Sequence, residues 1–436
     1  MTSSVFPVSS DGSSVERFSF GLARRLLHWS PVVILLFPQG TQQRTGLPEA
    51  VVACYALLTT ALVLLASVGA NVPLGVRRPA LHPALLLLLA YLLVVSPCWA
   101  LMHGASALTV LFTSIGFAFL ATHYLVALTH GGPDDAHTLG RNMIIAACLV
   151  AVLIMVVGGA PNNSESGRAT GIDGVRTLIY PVMPMGAVAA FTLLLFSRRH
   201  RAQYGLAFLL CTLAAVLTVT RAMVLTLLVG CVLAILATPF VREAGKGGKA
   251  GGGMGALLRA VLILGAGTLA STPWWGTWAQ RISPDSVGDV GTIVGRFEEI
   301  MAFLQAFDDS PLLGRGIGSR IFDSQSIDLS LQLQGLTVPH NHLAFFAGTT
   351  GLVGLILYYW VVVGAPVRLC VATLRGRVSA NDAPMALALG LAGLVGIAFT
   401  LASTTYSTLS YNLVLSIVIF ASRTFPVDRP SPGAPS

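Results

Sequence analysis

The sequence predicts an all-α polytopic membrane protein of about twelve transmembrane helices, with one large outer helical loop. Three observations predict it. First, 54% of the 436 residues are hydrophobic, only 10% are charged, and mean hydropathy is +0.77. A soluble domain carries roughly 25% charged residues, so this chain cannot clothe a water-facing surface. A disordered chain is excluded too, because apolar content is far too high. Second, apolar runs recur at close to the roughly 20 residues that cross a hydrocarbon core. Third, the basic residues gather between those runs, as topology signals do.

The spans read as 22–38, 50–70, 80–98, 106–128, 143–160, 178–197, 203–220, 222–240, 255–272, 342–364, 384–402 and 408–423. Residues 1–270 thus form a transmembrane bundle of about nine spans. Residues 271–341 form the outer, periplasmic loop, 342–423 the last three spans, and 424–436 a disordered tail on the inner side. The N-terminal segment lacks the charged start of a signal peptide and is not read as one. Arg24–Arg25, Arg77–Arg78, Arg198–Arg199–Arg201, Arg242/Lys246/Lys249 and Arg368/Arg375/Arg377 fall on alternate loops of one side. With both termini on that side, 18 of the 26 basic residues lie inside. The eight outer ones are all arginines: Arg44, Arg168, Arg176, Arg221, Arg281, Arg296, Arg315 and Arg320. Net charge is +8, yet no compact basic domain exists to hold a nucleic-acid backbone. The six cysteines sit in or beside apolar stretches without CxxC or Cys…His spacing, which argues against disulfides and a cysteine metal site.

The outer loop holds 8 of the 18 acidic residues. Trp274, Trp275 and Trp278 read as an interfacial anchor. In GTIVGRFEEIMAFLQAF (291–307), Ile293, Phe297, Ile300, Met301 and Leu304 recur at helical spacing. The expected helix is amphipathic, and its polar face carries Arg296 and Glu299. Asp308–Asp309–Ser310–Pro311 ends it, since proline cannot continue a helix. The turn-rich PLLGRGIGSR (311–320) follows, then VPHNHLAFF (338–346), which leads into the next span.

Few polar residues remain to carry chemistry. The run 202–240 is apolar apart from TVTRA (218–222). As one helix it would measure about 58 Å at 1.5 Å per residue, against a hydrocarbon core of about 30 Å. Arg221 therefore lies near a helix-to-helix turn or on a protruding helix. Its guanidinium cannot be neutralised, so it either holds an anion or snorkels to the interface. His340 and His342 form His–Asn–His where the loop re-enters the membrane. Such a pair clamps a metal only on an extended backbone, and no third ligand stands out. A general base is the other reading, since neutral imidazole takes a proton from a sugar hydroxyl; an interfacial hydrogen-bonding residue is the third. GRGIGSR (314–320) lacks a P-loop Lys-Ser/Thr, so it makes a tight turn or offers N–H groups to an anion. An outward-facing site has no ATP. A lipid diphosphate-linked sugar arrives already activated, and outer arginines can hold its diphosphate in two-pronged contacts.

The segments RFEEIMAFL, SPLLGRGIG, HNHL and GLVGLILY, with TVTRAMVL (218–225) upstream, resemble the O-antigen ligase and polymerase superfamily, and most of all the ligases. The resemblance covers about residues 200–360. It implies a GT-C-like fold and a cofactor-free, metal-independent, inverting glycosyltransferase in the bacterial inner membrane, with its site facing the periplasm. The implied donor is a glycan on undecaprenyl diphosphate, the acceptor a lipid A–core sugar, and the surroundings are membrane lipids. By position, His340 matches the family's general base, and Arg221 and Arg296 its diphosphate-binding arginines. Asn341 and His342 adjoin the base. Arg168, Arg176 and Arg315 are further candidates by side of membrane alone. The competing expectations are a Wzy-type polymerase, a protein O-glycosyltransferase and, in another class, a secondary transporter. No duplication between the halves, as many transporters show, is visible.

Overall fold

Helix follows helix because the chain is rich in Leu, Ala and Val and its breakers sit between the apolar runs. The computed structural model describes residues 24–26, 28–32, 83–107, 109–111, 114, 117, 120, 132–157, 182–196, 200–217, 221–244, 290–319, 321, 341–400 and 409–425. Among the described residues every regular element is helical. They are Pro83–Ala90 (α1), a π-turn Tyr91–Val95, Ser96–Met102 (α2), Pro133–Val157 (α3), Val182–Phe196 (α4) and Arg201–Leu217 (α5). Then come Arg221–Ala244 (α6), Val290–Asp309 (α7), His342–Leu374 (α8), Ala383–Thr400 (α9) and Leu409–Thr424 (α10).

Three helical stretches are long and apolar enough to cross a membrane: Ala84–Met102, His342–Leu374 and Ala383–Thr400. Shorter apolar helices cover Val182–Phe196, Arg201–Val216, Met223–Pro239 and Tyr411–Thr424. This is a membrane protein. The expected spans 50–70 and 255–272, the tryptophan cluster 274–278 and the tail 426–436 lie outside the described residues. Helix α8 runs ten residues past the expected end of its span at Gly364. Pro366 stands inside it without ending it, and termination comes from a glycine cap. Gly376, at φ 65°, donates its N–H to Thr373 O, and Arg377 donates to Ala372 O. That is the paired bonding of a Schellman motif.

Two apolar cores organise the molecule. The larger is built from α3, α4, α5, α6, the C-terminal end of α8, α9 and α10. Helix α4 sits at its centre, with Val182 through Leu195 all buried. Small residues allow the approach: a Cβ on Gly186 would lie 2.4 Å from that of Ala147. The smaller core joins α1, Ile317, Phe303 of α7, the N-terminal half of α8, and Tyr411 and Leu415 of α10. It carries the candidate site.

Ion pairs tie the opposite end. Asp135, in the first turn of α3, accepts from Arg24 Nε and His28 Nε2, both at 2.7 Å, and from Gly132 N–H at 2.9 Å. His137 Nε2 meets Asp382 Oδ1 at 2.8 Å, joining α3 to the start of α9. Burial alone would raise the Asp135 pKa, but the His28, Arg24 and Gly132 hydrogen bonds and the Arg24 charge outweigh it and hold the carboxyl at about 2.

Candidate functional site

The site region is assembled on a broken helix. In α8, Gly351 has φ 61° and ψ −167°, a conformation that glycine alone adopts without strain. The break frees backbone groups that an unbroken helix would pair among themselves. The 311–316 turn takes them up one by one. Leu352 N–H donates to Pro311 O at 2.8 Å, and Val353 N–H to Leu312 O at 3.2 Å. In return, Arg315 N–H donates to Gly348 O at 2.9 Å, and Gly316 N–H to Thr349 O at 2.7 Å. The Tyr91 hydroxyl reaches Thr350 O at 2.6 Å and Leu313 O at 3.1 Å. Irregular backbone inside a membrane-spanning helix is tolerated when protein satisfies it, and this turn does so.

The same turn is held from the other side by α2. Trp99 Nε1–H donates to Gly314 O at 2.9 Å, and Ser96 Oγ accepts from Ile317 N–H at 2.9 Å. Five residues separate Tyr91 from Ser96, which on a regular helix places them about 140° apart. The π-turn between them, with its wider i→i+5 winding, lets both serve the turn. Gly316, at φ 92°, lies so close to α2 that a Cβ would meet Ala100 N at 2.5 Å. Of the two readings of GRGIGSR, the tight turn is what the structure contains. The N–H groups of Gly314, Arg315, Gly316 and Ile317 are all spent within the protein, Gly314's on Ser310 O.

Asn341 opens α8. Its Oδ1 accepts from Ala344 N–H at 3.0 Å, with φ −126° and ψ 110°, the geometry of an N-cap. His342 follows and points into the smaller core. It is 1% exposed, lies beside the rings of Phe346, Tyr358, Tyr359 and Tyr411, and shares a 3.0 Å hydrogen bond between Nδ1 and Tyr359 Oη. His340 lies outside the described residues, one residue before the cap. Arg168 and Arg176 lie outside them too. Arg221 is placed by its backbone as the first residue of α6, after α5 has ended at Leu217. Among the described residues the apolar run 202–240 is carried by two helices, α5 and α6. Arg296 is placed by its backbone in α7. Arg315 is half exposed and its guanidinium pairs with Asp309 at the end of α7.

Helix α7 departs from expectation. It spans Val290–Asp309 and ends at the foreseen stop. The burial is not sorted by polarity, however: Ile300 of the apolar stripe is partly buried against the smaller core. Glu299, expected on the polar outer face, is 6% exposed, together with buried Phe303 and Ala306, while Phe297 is 63% exposed and Met301 and Leu304 are exposed as well. Phe303 packs on Phe345 of α8 at 5.7 Å. Periodicity located the apolar stripe correctly. It carried no information on whether protein or lipid meets that stripe.

Sequence reading also passed over Tyr91, Ser96 and Trp99, which hold the turn, and the tyrosines around His342. Their signal was present: polar handles within an apolar helix need partners inside the protein. Among the described residues no group of three or more His, Cys, Asp or Glu side chains stands close enough to hold a metal ion.

Residues 206–359 match the family model described as O-antigen ligase. The match covers about a third of the chain and is a likeness to that family. The matched stretch runs from α5 to the middle of α8, so it contains α7, the 311–316 turn, the Gly351 break and the Asn341 cap. Members of this superfamily are glycosyltransferase-like membrane enzymes, ligases and polymerases, acting on lipid-linked glycans. No curated protein matches the chain.

Proposed function

We propose that the chain is an inverting, metal-independent glycosyltransferase that moves an O-antigen glycan from undecaprenyl diphosphate to a sugar of the lipid A–core oligosaccharide. It works from the periplasmic side of the bacterial inner membrane. The observation that carries this reading is the O-antigen ligase match, whose 206–359 span takes in Arg221, Arg296, His340 and Asn341 together.

In this mechanism the acceptor hydroxyl oxygen attacks the anomeric carbon of the donor sugar. Its proton passes to the His340 imidazole. The bond from anomeric carbon to diphosphate oxygen breaks, and the diphosphate leaves on its isoprenoid with both electrons. Attack opposite the leaving group inverts the configuration. Arg221 and Arg296 hold the diphosphate and stabilise its growing charge. Asn341 supports this by capping α8, which fixes the chain direction right after His340. The buried setting of His342 favours a positioning role over substrate contact. Arg315 serves the donor only by giving up Asp309.

The test is a transfer assay with purified protein, undecaprenyl diphosphate-linked glycan and lipid A–core. The expected result is a slower lipid A–core band, lost in His340→Ala, weakened in Arg221→Lys because a point charge cannot reproduce a planar fork, and unchanged by EDTA. Lengthened lipid-linked glycan in place of that band means a polymerase. Wild-type turnover in His340→Ala sinks the assignment of the base.

A further inference from the structure

The exposed surface of α7 is divided in a way that neither water nor protein alone explains. At 100° per residue, Phe297, Met301 and Leu304 fall within about 60° of arc. All three are exposed. Glu298, Gln305 and Asp309 fall within about 40° of arc beside them and are exposed as well. Ala306, Glu299 and Phe303 take the opposite side and are buried. The helix therefore has three flanks: one packed on protein, one apolar and open, one polar and open. The apolar strip runs from Phe297 to Leu304 and is closed by exposed Asp308 in the last turn.

A helix standing in water beside its support buries its apolar residues first. This one buries Glu299 beside Phe303 and Ala306 and leaves Phe297, Met301 and Leu304 outside. That ordering is favourable only if the open apolar flank meets a phase as apolar as itself. The helix it packs on supplies the context. Helix α8 is long and apolar enough to cross a membrane and carries exposed Leu343, Leu352, Val353 and Ile356, whose surroundings in a membrane are lipid. Exposed Leu312, just beyond α7, extends the same kind of surface.

We infer that α7 lies at the membrane–water interface, with Phe297, Met301 and Leu304 seated among the acyl chains of the bilayer leaflet nearest the 311–316 turn, and Glu298, Gln305 and Asp309 in water. The placement goes beyond the glycan-transfer reading and does not depend on it. It makes α7 part of the membrane boundary rather than a loop held clear of it.

The experiment is site-directed spin labelling in phosphatidylethanolamine–phosphatidylglycerol liposomes. Nitroxides are attached at Met301→Cys, Leu304→Cys, Glu298→Cys and Gln305→Cys, with the six native cysteines replaced by serine. Molecular oxygen collects among acyl chains and a neutral nickel chelate stays in water. The ratio of oxygen to nickel collisions is expected to be several-fold higher at 301 and 304 than at 298 and 305. Equal ratios with strong nickel access at all four sites overturn the placement, because the strip is then wet. Low access to both reagents at 301 and 304 overturns it equally, because protein then covers the strip. A benzophenone side chain at position 301 of the otherwise native chain gives an independent reading. Phospholipid adducts after irradiation are expected, and adducts confined to the chain itself count against the inference.

Discussion

Asn341 does its structural work with one oxygen. Capping the first turn of α8 is worth about 1 kcal/mol when an N-cap asparagine is compared with alanine, while serine and aspartate keep the acceptor. Asn341→Ala is therefore expected to lower the melting temperature in detergent and to reduce transfer, with Asn341→Ser close to wild type in both. Wild-type melting and transfer in Asn341→Ala would remove the cap from the site. Asp135 is a second residue whose environment sets its behaviour. Its partners move it from an ordinary value of 3.8 to about 2. A folded-state pKa below the unfolded one contributes stability that is complete above 3.8 and is lost as pH falls toward 2. Asp135→Asn is thus expected to melt a few degrees below wild type at pH 7, with the same gap at pH 5. A gap that closes between pH 7 and pH 5 would show that another group carries the effect.

At the scale of elements, the broken helix and its plug are one unit. Gly351→Ala puts a Cβ within 2.4 Å of Leu312 carbonyl carbon at φ 61°, and Gly316→Ala puts one 2.5 Å from Ala100 N at φ 92°. Each is expected to cost about 3 kcal/mol or more, since backbone strain and a backbone clash add. Gly364, in the same α8, has open space around its Cβ position. Gly364→Ala is expected to be neutral or to stabilise by up to about 1 kcal/mol through helix propensity. Thermal unfolding followed by monodispersity in detergent separates these outcomes, and equal behaviour of all three would refute the plug. The sequence made part of this element legible and hid the rest. The stop at Asp308–Pro311 follows from local chemistry and was readable; for Arg221, length left a turn between helices or a protruding helix. The break at Gly351 was not, because the groups that satisfy it lie some forty residues upstream. The burial of Glu299 and the exposure of Phe297, Met301 and Leu304 were hidden for another reason: a hydrophobic stripe records its own polarity and leaves unnamed the phase that meets it.

At the scale of the molecule, the separate polar contacts agree on two ends. Arg24, His28, Asp135, His137 and Asp382 meet at one end, and sequence reading put the basic loops at residues 24–25 and 368–377 on that side. Ser96, Trp99 and the 311–316 turn meet one another through α2, and both segments were assigned to the other side. A wrong orientation for a span that carries one of these residues would have set partners on opposite faces. Three long-range pairings join segments that the sequence predicts on a common face. The orientation therefore makes a joint prediction. In intact cells with a permeabilised outer membrane, Arg315→Cys is expected to react with a membrane-impermeant maleimide above the level of the native chain. Asp134→Cys, exposed beside Asp135, is expected to react only after the inner membrane is opened. The reverse pattern would place both termini outside and move the candidate site to the ATP-containing compartment. That would remove the argument for a pre-activated, lipid-linked donor. Labelling of both positions from one side would break the pairing between the ends, and with it the span order between α3 and α7.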